Sequence, residues 1–195
     1  LLADVGFYDP AILEDYTRIG SAFGDHPDMR KIPGIDFSSG SLGHNLSVSV
    51  GMALGGRMQG KNFRVYCLLG DGELNEGQVW EAAMAAAKFG ADSLTAIVDR
   101  NKYQQSQSVQ NVMPSEEPLL EKWRAFGWHA LECDGHDLEA VLAALAEAKA
   151  TTGKPTCIVA HTVKGKGVSF VEADWTYHGR AVSQKDLERA LEEVG

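Results

Sequence analysis

Residues 65–101 read VYCLLGDGELNEGQVWEAAMAAAKFGADSLTAIVDRN, and this stretch decides the fold. Val65–Leu69 is a short apolar run that stops at Gly70-Asp71-Gly72. An Ala-rich helix follows over about residues 76–89, and a second apolar run, Leu94–Val98, stops at Asp99-Arg100-Asn101. Strand, turn, helix, strand is the order of a crossover unit, which brings the two strands side by side and parallel. Neither run alternates apolar with polar residues, so both read as strands buried on both faces. A third run of the same character, Cys157–Ala160, ends in His161-Thr162, and Trp128–Cys133 is a fourth candidate strand. The expected fold class is therefore α/β, a parallel sheet with helices on both faces. Ligands of such sheets sit outside the carboxyl ends of the strands, where the unusual polar residues of this chain fall.

Working outward, Leu138, Val141, Leu142 and Leu145 mark an amphipathic helix, and Leu187, Ala190, Leu191 and Val194 another behind a Ser183 cap. Upstream, Asp9-Pro10 starts a helical stripe through residues 10–20. Residues 24–45 form a long irregular loop rich in Gly, Pro, Ser and Asp, of a length that usually marks function. Residues 46–59 read as a small-residue helix in which Gly51 and Gly55 permit close packing. Ala82–Ala87 suits core packing and subunit contact equally well.

The 195 residues are enough for one domain with a full core, and residues 1–195 are read as a single domain. A net charge of -9 argues against coating nucleic acid or an anionic membrane surface. No apolar run suggests a membrane span, and Leu1-Leu2-Ala3-Asp4 is no signal peptide, so a cytoplasmic location is expected. Cys67, Cys133 and Cys157 are widely spaced, which excludes a CxxC metal site and predicts reduced, buried thiols.

A lone Gly-Asp-Gly is usually only a turn. Here it lies between a strand and a helix, and the neighbouring strand ends in Asn101. A carboxylate, an amide oxygen and a backbone carbonyl at adjacent strand ends form a hard donor set. They leave positions for phosphate oxygens and water, as Mg²⁺ prefers. Spacing alone thus predicts a Mg²⁺–diphosphate site. His26 and His178 lie in loops where a histidine is more often simply solvated, and the same holds for His44, His129, His136 and His161. Lys164 and Lys166 around Gly165 read equally as surface charge or as phosphate contacts, and Glu76 and Glu81 as solvated helix carboxylates.

Residues 70–101 resemble the thiamine diphosphate-binding motif, which opens with GDG and closes on paired asparagines. GDHPDMRKIPGIDFSSGSLGHNLSVSVGMAL (24–54) and HTVKGKGVSFVEADWTYHGR (161–180) resemble further landmarks of the transketolase family, in the same order. The resemblance implies thiamine diphosphate and Mg²⁺ as cofactors, and a glycolaldehyde transferase that moves a two-carbon ketol unit from a ketose phosphate to an aldose phosphate. It implies that Asp71, the Asn101 side chain and the Tyr103 carbonyl ligate Mg²⁺, and that Gly72 and Lys164 approach the diphosphate. Gly40, Ser41 and Leu42 would lie along the cofactor, with Leu42 touching the aminopyrimidine ring through its backbone. His26 and His178 would face the substrate, and Glu76 and Glu81 would belong to an acidic cluster between the two active sites of a dimer.

Two departures stand out. Arg100 replaces the first of the paired asparagines, a change expected to do little harm. The family's upstream Ser-Lys-Gly-His segment and its pyrimidine-binding domain have no match here, so the sequence resembles the diphosphate-binding half only. Either it is one subunit of a split transketolase, expected in a heterotetramer with a separate pyrimidine-binding subunit, or it is a fragment. The same cofactor site occurs in 1-deoxyxylulose 5-phosphate synthase and in 2-oxo acid dehydrogenases, although the His-Gly region favours transketolase. A non-catalytic scaffold subunit is the alternative of another class. A nicotinamide fold is disfavoured because no GxGxxG follows a strand.

Overall fold

The computed structural model describes residues 1–105, 107–114 and 117–195. They form two compact units, Leu1–Leu42 and Gly43–Gly195.

The first unit is mostly turns and bends. Its regular element is a 3-10 helix, Pro10–Asp15, whose start is capped by Asp9 accepting from the Ala11 N–H. The helical stripe expected over 10–20 is thus cut short. Tyr16 leaves helical geometry, Thr17 takes a positive φ of 62°, and the side chains of the stripe are exposed. A stripe with nothing to bury against gives a short helix no tertiary support.

The second unit holds a four-stranded parallel sheet. Its strands are β1 (Val65–Gly70), β2 (Leu94–Arg100), β5 (His129–Asp134) and β6 (Thr156–His161), in the spatial order β1-β2-β6-β5. A two-stranded antiparallel hairpin, β3 (Tyr103–Gln104) with β4 (Gln107–Ser108), projects beyond the end of β2. The helices are α1 (His44–Met58), α2 (Gly77–Lys88), α3 (Val109–Val112), α4 (Leu119–Ala125), α5 (Leu138–Ala150) and α6 (Gln184–Val194). The parallel sheet and its crossover helix are those the sequence predicts. The hairpin, α3 and α4 were not foreseen.

One face of the sheet carries the main core. Cys67 and Leu69 of β1, Ala96 and Val98 of β2, Ala130 of β5, and Cys157 and Val159 of β6 meet Leu46, Val50 and Ala53 of α1 and Val79, Ala82, Ala83 and Ala86 of α2. The alanine stretch therefore serves the chain's own core. Trp123 of α4 lies among Trp80 and Trp128, with ring centroids 5.3 and 4.8 Å away. The Trp128 indole N–H donates to the Ala83 carbonyl at 2.9 Å, which satisfies its polar edge inside the core.

The other face is covered in part. Ala144, Leu145 and Ala148 of α5 sit on Leu131, Cys133 and Ile158 of β5 and β6. Over β1 the burial alternates, and Tyr66 and Leu68 remain 51% and 65% exposed. The expectation of strands buried on both faces fails for β1. The face of α5 also differs from the expected one: Leu138 and Leu142 point outward, because the two alanines let the helix sit close to the sheet. Gly51 and Gly55 of α1 face open space, whereas a Cβ at Gly56 would meet the Phe63 ring at 2.5 Å. The close approach in α1 is thus made at Gly56. Ser183 caps α6 by accepting from the Asp186 N–H at 3.1 Å, as expected, but no residue of α6 is buried.

Candidate functional site

The parallel register sets Gly70 of β1 opposite Asp99 of β2, and the Asp71 N–H donates to the Asp99 carbonyl at 3.2 Å. Asp71 and Asn101 thus emerge side by side at the carboxyl ends of neighbouring strands, as the sequence predicts. Asp71 is fully buried. Its Oδ1 accepts the Gly72 N–H at 2.8 Å, and its Oδ2 accepts the Lys102 N–H at 2.5 Å and Nη1 of Arg100 at 2.8 Å. Burial pushes the Asp71 carboxyl up from its ordinary value, while Arg100 and the two N–H donors pull it back; burial wins.

Lys102 has a positive φ of 70°, which costs a non-glycine residue about 1–3 kcal/mol. That bend turns its N–H onto Asp71 and lets the Asn101 Oδ1 accept the Tyr103 N–H at 3.0 Å. The Asn101 amide N–H reaches the Asp99 carbonyl at 3.4 Å. Asp71, Asn101 and Tyr103 therefore belong to one hydrogen-bonded turn. Among the described residues no group of three or more His, Cys, Asp and Glu could hold a metal. A site of one carboxylate, one amide oxygen and a backbone carbonyl has no such group, and its neutral, hard donors fit a cation that keeps water and phosphate ligands.

Gly72 has a use of its own. Its N–H is given to Asp71, and a Cβ there would lie 2.6 Å from the Gln104 Cβ, so the glycine lets the turn meet the hairpin. The turn is fixed further by Asn75 donating to Gln104 Oε1 at 2.8 Å and by the Trp80 indole N–H donating to the Leu74 carbonyl at 2.8 Å.

Three groups that order this end of the sheet escaped sequence reasoning. Glu73 is buried, accepting the Gly43 N–H at 2.9 Å and the Gly70 N–H at 3.1 Å, and so ties the start of α1 to the end of β1. Arg100, expected to be a harmless replacement, spans Asp71 and Glu117. The Thr162 hydroxyl donates to Asp99 from the end of β6. The only signal in the sequence was that all follow or end strands.

Of the other expected site residues, Glu76 and Glu81 are exposed at the start and along α2. The Glu76 Cβ fills the space beside Gly43, which has a φ of 82° and no room for a Cβ. Lys164 is half-buried in a turn after β6, its carbonyl accepting the Ala173 N–H at 2.9 Å. His178 ends the 3-10 helix Trp175–Tyr177 and is exposed. Within the first unit, Gly40 and His26 come together: Gly40 has a φ of 133°, and a Cβ there would lie 2.0 Å from the His26 ring. Ser41 and Leu42 are exposed.

The ends of β1 and β2 thus set an acid beside an amide, hydrogen-bonded through one turn, at the carboxyl edge of a parallel α/β sheet, where ligands of such sheets sit. The chain belongs to the transketolase family: the family described as transketolase, thiamine diphosphate binding domain, matches residues 5–195. The cofactors of that family are thiamine diphosphate and a divalent metal. A 6-deoxy-6-sulfo-D-fructose transketolase subunit of Clostridium sp. is 41% identical over 193 residues, covering 99% of this chain and 70% of the relative. An apulose-4-phosphate transketolase subunit of Phocaeicola vulgatus is 39% identical, covering 97% of this chain and 66% of the relative. Human transketolase is 40% identical over 195 residues, 30% of its length. Crystallised transketolase from Campylobacter jejuni matches with a TM-score of 0.89 at 28% identity, over 96% of this chain and 30% of the other. The chain thus spans about two thirds of the subunit relatives and under a third of the single-chain transketolases. Among the described residues no helix is long and apolar enough to cross a membrane.

Proposed function

We propose that the chain is the N-terminal subunit of a transketolase, carrying a two-carbon ketol unit from a ketose phosphate to an aldose phosphate together with a separate pyrimidine-binding subunit. One observation carries this reading: the buried Asp71 shares one hydrogen-bonded turn with Asn101 and Tyr103 at the ends of β1 and β2. Asp71, Asn101 and the Tyr103 carbonyl hold Mg²⁺. Gly72 and Lys164 meet the diphosphate, and Gly40, Ser41 and Leu42 line the cofactor. Thiamine diphosphate, when bound, supplies the electron sink that makes the two-carbon transfer possible. His26 and His178 move protons at the substrate, a task suited to imidazole near neutral pH. Glu76 and Glu81, exposed in the single chain, belong to a subunit contact in a heterotetramer. Support comes from the two relatives that are themselves described as transketolase subunits. A cytoplasmic location goes with this reading.

The test is reconstitution. The purified chain alone is expected to transfer no ketol unit, and to gain the activity when a pyrimidine-domain transketolase subunit is added. Full activity from the chain by itself refutes the proposal. Decarboxylation of pyruvate by the reconstituted pair, without ketol transfer, would move the assignment to another thiamine diphosphate enzyme.

A further inference from the structure

Arg100 stands where the motif carries the first of two asparagines, and its guanidinium joins two carboxylates across the end of β2. Nη1 donates to Asp71 Oδ2 at 2.8 Å, and Nη2 donates to Glu117 Oε1 at 2.5 Å. The Arg100 side chain is 10% exposed and that of Asp71 is fully buried. Because Oδ2 of Asp71 also accepts the Lys102 N–H, both of its in-plane lone pairs are used. Oδ1 accepts the Gly72 N–H and keeps one lone pair for a cation.

We propose that Arg100 is a positioning residue that holds Asp71 as a one-oxygen ligand, and that it thereby makes the site selective for Mg²⁺ over Ca²⁺. The inference rests on the reading of Asp71 as a metal ligand. Mg²⁺ requires a compact octahedral shell in which each carboxylate gives one oxygen, whereas Ca²⁺ accepts more oxygens and takes carboxylates through both. With Oδ2 locked by the guanidinium and the Lys102 N–H, the two-oxygen mode is closed. The guanidinium also adds a positive charge beside the cation, so it lowers affinity for both ions while favouring the smaller one's geometry. Glu117 matters because it anchors the second arm of the guanidinium, with the Leu119 N–H donating to its other oxygen at 3.0 Å.

The chain reconstituted with a pyrimidine-domain transketolase subunit and thiamine diphosphate is titrated with Mn²⁺, followed by its electron paramagnetic resonance signal, and Mg²⁺ and Ca²⁺ are measured by competition. Arg100→Gln is expected to shift the Ca²⁺-to-Mg²⁺ affinity ratio toward Ca²⁺ by about threefold or more. A smaller shift in folded protein overturns the inference. If circular dichroism shows that Arg100→Gln does not fold, Glu117→Gln decides: a shift of about twofold or more in the same direction supports the inference, and less overturns it. Asp71→Ala separates the two readings. Loss of Mn²⁺ binding in Asp71→Ala with an unmoved ratio in Arg100→Gln removes the role of Arg100 alone. Unchanged Mn²⁺ binding in Asp71→Ala, or none in the parent assembly, removes the metal reading itself.

Discussion

Glu73→Ala is expected to destabilise the chain through the hydrogen bonds of its carboxylate, which go to Gly43 and Gly70. The buried Glu73 carboxylate accepts two backbone N–H groups, from Gly43 at 2.9 Å and Gly70 at 3.1 Å. Truncation leaves both donors without a partner, at about 1–3 kcal/mol each. Release of the buried carboxylate offsets part of this, so a net loss of about 2–4 kcal/mol is expected. In a chain of this length about 1 kcal/mol moves the melting temperature by roughly 2–4 °C, which gives a fall of about 4–16 °C. Glu73→Gln keeps one acceptor and sets an amide N–H against the other donor, so its loss falls at about 1–3 kcal/mol. The assay is thermal unfolding followed by circular dichroism, paired with hydrogen exchange at the Gly43 and Gly70 amides, which should quicken in both variants. Glu76→Ala, at an exposed carboxylate that keeps its Cβ beside Gly43, is the control and should stay within about 0.5 kcal/mol of the parent. A Glu73→Ala protein that melts with the parent and keeps the Gly43 amide protected would refute the reasoning.

Other outcomes follow from single contacts. Gly43→Ala puts a Cβ 2.6 Å from the Glu76 Cβ at a φ of 82°, and should cost at least about 1–2 kcal/mol in urea unfolding. Burial pushes the Cys67 thiol up to about 11 and holds the Cys157 thiol well above its ordinary value, so neither should react with a thiol reagent at pH 8 in the folded chain, and all three cysteines should react in guanidinium. Arg100 holds the Glu117 carboxyl below its ordinary value, so this group stabilises the folded chain above the unfolded carboxylate value of about 4.3 and loses that contribution as pH falls through the lowered folded value. The gap in unfolding midpoint between parent and Glu117→Gln should therefore be open at pH 7 and shrink below about pH 4.

The sheet was legible because its signals are local: apolar runs bounded by turns, and a crossover helix between the first two. Asp71 and Asn101 were legible for the same reason, since strand ends in a parallel sheet collect at one edge. What stayed hidden depends on partners far apart in the chain. The sequence around Arg100 does not show that Glu117 waits for its second arm, nor does Glu73 announce the Gly43 amide. The face of α5 was misread because leucine outweighs alanine in any periodicity argument, yet the sheet accepts the helix through its small residues, Ala144 and Ala148. The close approach in α1, expected at Gly51 and Gly55, belongs to Gly56, and only the position of the Phe63 ring shows it.

The alignment of β1 against β2 sets Leu69 opposite Val98 and Gly70 opposite Asp99, one step before Asp71. Successive side chains of a strand point to opposite faces, so sliding β1 by one position would expel Cys67 and Leu69 from the interior and carry Asp71 off Arg100 in the same movement. An insertion or deletion within β1 would spoil solubility and chemistry together. Mutational drift that retunes this edge of the sheet therefore has to act beyond the strand, in the bend from Asn101 to Tyr103 and the hairpin behind it.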